Sequence, residues 1–150
     1  MGPSTSIRRR SVLGTESGQA LIEAALAIPL VLVIAFGVVM AGRVAHAQVA
    51  VQSVVREASR TLAVAPSASG GLSAAEANAR AVASGHGLAA ERVDLMLDAG
   101  TFARGGTVRA EARYPVSLGD LPLLGTIEVT VTSHSEQRIE RYRSRTEVLP

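Results

Sequence analysis

At 150 residues with a formal net charge of +2, the chain has room for one domain, or for a small domain with an anchor. Its basic residues are all arginine and are mostly dispersed, and only Phe36, Phe102, Tyr114 and Tyr142 are aromatic, so the sequence offers neither the basic face nor the stacking surface of a nucleic-acid binder. With no cysteine, disulfides, thiol nucleophiles and thiolate metal sites are excluded.

Residues 1–18 are polar, with Arg8, Arg9 and Arg10 contiguous, and read as a flexible tail. From Ala24 to Gly42 no residue is charged. At 1.5 Å per residue that run reaches about 28 Å, close to the roughly 30 Å hydrocarbon core of a bilayer, and predicts one spanning helix. Pro29 lies inside it, where a missing N–H is tolerated in membranes. Val44, Val51, Val55, Ala58 and Leu62 then recur at helical spacing, with Gln52, Arg56, Glu57 and Arg60 mostly between them, which predicts an amphipathic continuation as far as Pro66. The stretch Ser67-Ala68-Ser69-Gly70-Gly71 reads as a hinge or loop. Ser73 and Glu76 match a capping box and place a short helix at about 74–84, closed by Gly85.

Beyond Gly85 the period changes to two. Val93, Leu95 and Leu97 alternate with Asp94, Met96 and Asp98. Val108, Ala110, Ala112, Tyr114 and Val116 alternate with Arg109, Glu111 and Arg113, and Ile127, Val129 and Val131 with Glu128, Thr130 and Thr132. Three one-faced strands follow, with Gly105-Gly106 suited to the first hairpin and Leu118 to Gly125 a longer apolar loop. The expected fold is α+β: a long N-terminal transmembrane and amphipathic helix, a short second helix, and a small three-stranded antiparallel sheet that needs a helix to cover one face. The expected organisation is a tail at 1–18, a helix over 19–65 that spans the membrane at 24–42, and an α+β domain over 66–150.

The positive-inside count near the span is close to even, three arginines on each side. Contiguity of Arg8 to Arg10, and the ease with which long C-terminal domains translocate, place the N-terminus in the cytoplasm and the C-terminal domain outside.

Several motifs are weaker than they look. Gly85-His86-Gly87-Leu88-Ala89-Ala90 fits a relaxed dinucleotide fingerprint, but with a helix before it and a strand after it the context is reversed, and a helix-stop turn is the better reading. His46, His86 and His134 lack ligand spacing, and no nucleophilic serine motif occurs, so neither a metal, a cofactor nor an enzymatic activity is expected. Arg138, Arg141, Arg143 and Arg145, interleaved with Glu136, Glu140 and Glu147, read as a solvated strand end and tail, with contact to a neighbouring subunit or an anionic surface as the alternative. Gly37 and Ala41 form a small-xxx-small pair through which another helix can approach. Ala45-His46-Ala47 matches a signal-peptidase site, so a soluble protein beginning at Gln48 stays open as an alternative, as does an unprocessed membrane-tethered accessory protein.

Gly18-Gln19-Ala20-Leu21-Ile22-Glu23 followed by the apolar run resembles the leader junction of type IV pilin-like proteins, and the stretch as far as Gln48 to Arg60 is similar to the TadE family of tight-adherence pilus proteins. The resemblance implies a minor pilin or pseudopilin, with no cofactor, that is cut after Gly18 by a prepilin peptidase so that Gln19 becomes the mature terminus. It further implies that Glu23 pairs with a subunit's N-terminal amine during assembly. Partners would be the peptidase, other pilins and pilus assembly proteins, and the lipid bilayer of the inner membrane. A hydrated acid in the headgroup region, compatible with a helix N-terminus, is the simpler alternative for Glu23.

Overall fold

Alanine, valine and leucine without a charged residue between Glu23 and Arg43 make a helix that continues through Pro29, and helix α1 runs Leu13–Val64 in the computed structural model, which describes residues 13–117 and 128–140. Helix therefore begins within the stretch read as a flexible tail. Its end is set by Pro66, because the residue before a proline is driven out of the α region. Ala65 closes the last turn by donating to Leu62 O at 3.3 Å. The contacts of the chain separate it into two units, Met1–Val39 and Met40–Pro150.

In the first unit the apolar side chains face outward. Leu21, Leu26, Val33 and Val38 are each about two-thirds or more exposed, at 72%, 73%, 67% and 68%. Such a surface is stable in lipid or against other helices, and α1 is long and apolar enough to cross a membrane.

The second unit is built on the remainder of α1. Val51, Val54, Val55, Ala58 and Leu62 are fully buried, and Val44 packs against them half-buried. Helix α2, Ala68–Gly85, begins earlier than the capping-box pattern predicts. Ser67, extended at φ −143°, is the N-cap and accepts from Gly70 N, whereas Ser73 lies inside the helix and donates to Ser69 O, and Glu76 pairs with Arg80 one turn on. The serine nearest the proline takes the cap because its own backbone is already extended. The glycines read as a hinge are instead helical, and Gly71 has a packing reason. A Cβ there would lie 2.6 Å from Ala65 Cβ and 2.9 Å from Leu62 Cδ1. Ala75, Ala79 and Ala83 continue the same buried ridge at four-residue spacing. Asn78 Nδ2 donates to Thr61 Oγ1 at 3.1 Å across the α1–α2 pair.

Gly71→Val is therefore expected to lower the stability of this unit by about 1–3 kcal/mol through overpacking. Gly42→Ala, where a Cβ meets open space, should be neutral or stabilising by up to about 1 kcal/mol. Thermal unfolding of the full chain in detergent, followed by circular dichroism, compares the two.

Helix α2 ends in a Schellman motif: Gly87, at φ +73°, donates to Ser84 O, and Leu88 donates to Ala83 O, both at 2.9 Å. The glycine-containing hexapeptide is thus a helix stop. A 3-10 turn at Ala90–Arg92 leads into the sheet. Strands β1 (Asp94–Asp98), β2 (Thr107–Ser117) and β3 (Glu128–Arg138) are antiparallel in the order β1-β2-β3. Most inward positions are those of the predicted alternation: Leu95 and Leu97 are half-buried, and Val108, Ala110, Ala112, Val116 and Val131 are buried in one core with α1 and α2, whereas Val129, expected inward near the start of β3, is 36% exposed.

Two further features of the sheet differ from the sequence expectation. The β1–β2 connection is longer than a tight glycine hairpin, with one turn closed by Phe102 N on Ala99 O and a second by Gly106 N on Ala103 O. Gly105 and Gly106 exchange backbone hydrogen bonds with Ile139 as well, which extends the β3 side of the sheet. Strand β3 also runs six residues beyond Thr132, to Arg138. Its inward positions there are serines: Ser133 is buried, and Ser59 on α1 donates to Ser135 Oγ at 2.9 Å. The Leu118–Gly125 loop, Ile127 and Arg141, Arg143, Arg145 and Glu147 lie outside the described residues.

The outer face of the sheet is a lattice of opposite charges. Asp98, Arg109 and Glu136 stand opposite one another across the three strands, and Arg109 pairs with Glu136. Glu111 lies 2.8 Å from Arg113; its hydrogen bond first and its charge second raise the guanidinium above its ordinary pKa. Arg92 sits 5.8 Å over the Tyr114 ring and pairs with Glu128, while Tyr114 Oη accepts from Ala89 N.

Candidate functional site

Gly18 and Gln19 are adjacent near the start of α1, Glu23 follows about one turn on, and all three are exposed. A side chain added at Gly18 would have nothing within 4 Å. Neither intrachain packing nor a special backbone angle explains a glycine there, and in a helix interior it costs about 1 kcal/mol relative to alanine. Glu23 stands on an apolar surface with Leu21 at 72%, Ile22 at 66% and Leu26 at 73% exposure. Among the described residues it has no hydrogen-bond or ion-pair partner. Chemically, this is a helix that presents one carboxylate to whatever covers it.

Gly37 resembles Gly18 in having open space where a Cβ would be, and Ala41, one turn on, is exposed. Ala47, the residue before the signal-peptidase-like junction, is only 3% exposed within the unbroken α1, and the next residue, Gln48, donates through Nε2 to Thr132 O at 3.3 Å. His46 Nε2 lies 2.9 Å from the carbonyl of His86 and so donates to it. Among the described residues no three histidine, aspartate or glutamate side chains are placed to hold a metal ion.

The fold also brings together residues that the sequence keeps apart. Arg56, Arg60, Ala63 and Val64 on α1 and Gln137, Arg138 and Glu140 at the end of β3 line one open cleft of about 430 Å³. Sequence periodicity put Arg56 and Arg60 on the wet face of the helix and read Arg138 as a solvated strand end. Only the pairing of α1 with β3 makes them neighbours.

The start of α1, with its glycine and acid, and the valine–alanine core face that follows form one continuous pattern. Residues 18–60 match the TadE-like protein family. That family is associated with tight-adherence pili. Neither the curated proteins nor the solved structures yield a match. The TadE-like segment begins at Gly18, contains Glu23, Gly37 and Ala41, and ends at Arg60, so it is carried wholly on α1, while α2 and the sheet lie beyond it.

Proposed function

We propose that the chain is a minor pilin or pseudopilin that acts in the assembly of a tight-adherence pilus or secretion system. The observation that carries this reading is Glu23: a carboxylate without a partner among the described residues, on an exposed apolar helix inside the TadE-like segment, five residues after a glycine that no described contact requires. In this reading a prepilin peptidase cuts after Gly18. The new Gln19 amine and the Glu23 carboxylate of neighbouring subunits then supply each other's counter-charge near the hydrocarbon edge. A protease must draw the bond out of the helix, and glycine lowers the cost of unwinding while leaving the cleft unobstructed. Gly37 and Ala41 serve close approach to a second helix. The N-terminus faces the cytoplasm, and the α+β unit lies outside the cell membrane, in contact with other pilus components.

Gly18→Leu tests the cleavage site. Leucine there meets open space and favours the helix, so insertion and folding should be retained while maturation falls at least tenfold. Mass spectrometry of the membrane-extracted chain, with the pilin-type peptidase present, distinguishes the outcomes. A parent chain starting at Gln19, or its cyclised form, and a variant retaining the leader are expected. A parent starting at Gln48 would indicate a released protein instead, and one starting at Met1 an unprocessed tether.

A further inference from the structure

We infer that the cleft between α1 and the end of β3 is a docking site for an extended acidic peptide segment of another protein. Among the described residues, three that bear guanidiniums, Arg56, Arg60 and Arg138, line it against a single carboxylate, that of Glu140. Arg56 and Arg60 are one helical turn apart and both exposed, and among the described ion pairs neither they nor Arg138 takes part. Like charges at that spacing repel, so the cleft gains from any anion that enters it.

The backbone says what kind of anion. Ile139 exchanges hydrogen bonds with Gly105 and Gly106, and Gln137 stands opposite Val108. In an antiparallel ladder bonded and non-bonded pairs alternate, so the N–H and C=O of Arg138 turn away from β2 to the open edge of β3. The same parity explains why Thr132 O is reachable by Gln48. Guanidiniums beside a strand edge left unpaired by the described strands match a partner that is extended, brings its own N–H and C=O groups, and carries carboxylates. A phosphate ligand would use the arginines and leave the edge unused, and none of the described residues lining the cleft is an aromatic on which a base could stack. The chain's own residues 141–150 are mismatched in charge, with Arg141, Arg143 and Arg145 against Glu147. This site is distinct from Glu23 and does not depend on leader cleavage.

The test uses the full-length chain in detergent and a fluorescein-labelled peptide, Glu-Val-Glu-Val-Glu, with Gln-Val-Gln-Val-Gln as its neutral counterpart. Fluorescence anisotropy should show the acidic peptide binding at least tenfold more tightly, with that advantage shrinking as salt rises from about 50 to about 500 mM. The double variant R56Q/R60Q, altered only at exposed positions, should bind both peptides alike while keeping its melting profile. Equal binding of the two peptides to the parent chain would overturn the proposal even if the variant failed to fold. So would undiminished binding by a folded variant, or capture of phosphatidylglycerol vesicles or duplex DNA through these arginines in place of the peptide.

Discussion

Val55→Asp is expected to unfold the second unit, whereas Gln52→Asp, less than one turn away on the same helix, should barely register. Val55 is fully buried in the cluster shared by α1, α2 and the sheet, while Gln52 is exposed. A carboxylate at position 55 would be stripped of water and given no donor in return, at a cost of several kcal/mol. Small domains have about 5–15 kcal/mol of stability in total, so one such group removes much or all of it. On the wet face aspartate loses only the helix propensity of glutamine, less than about 0.7 kcal/mol. Limited proteolysis of the full chain in detergent reads the difference, with α2 and the strands becoming cleavable in Val55→Asp alone. Similar protection of the two variants would mean that the buried face of α1 has been assigned to the wrong side.

That face was legible because valine and leucine mark it. Val51, Val55, Ala58 and Leu62 recur at helical spacing and are the residues the core buries. The alternation of β1 and β2 was legible for the same reason. What could not be read is where small residues do the packing. Ala75, Ala79 and Ala83 give almost no hydrophobic contrast, yet they form the α2 ridge, and Gly71 looks like a linker although its missing Cβ is what lets α2 meet Leu62 and Ala65. The far half of β3 was hidden similarly, since Ser133 and Ser135 occupy inward positions there, and the partner of Ser135, Ser59, lies far away in the sequence. Serine spacing that marks a strand is indistinguishable from serine spacing in a loop until the partner is known. At the candidate site the position was reversed. Gly18 and Glu23 stand out in the sequence because their chemistry is out of place there, and the described residues supply neither a clash nor a partner to account for them. In the proposed reading their explanation comes from a second molecule.

Glu23→Gln is accordingly expected to leave cleavage and membrane insertion intact and to weaken association with other pilus subunits. Glutamine keeps the size of glutamate and part of its hydrogen bonding, but a hydrogen bond without charge is about half as strong as a charge-assisted one. The attraction between an amine and a carboxylate about 4 Å apart is about 4 kcal/mol at an effective dielectric of about 20, against about 1 kcal/mol in bulk water. Burial among the exposed leucines and isoleucines of neighbouring helices moves the pair toward the first figure. Desolvation of both groups returns part of the gain. A net deficit of about 1.4 kcal/mol per contact already weakens binding tenfold, and it is repeated wherever subunits stack. Glu23→Arg should be worse than Glu23→Gln, because it places a cation where the proposed pairing puts the mature amine. Co-purification of mature, membrane-extracted chain with its pilus partners, scored against the amount of cleaved protein, measures this directly. Parent-like recovery of cleaved Glu23→Gln would leave Glu23 as a hydrated acid at the membrane boundary, where such groups are cheap to keep.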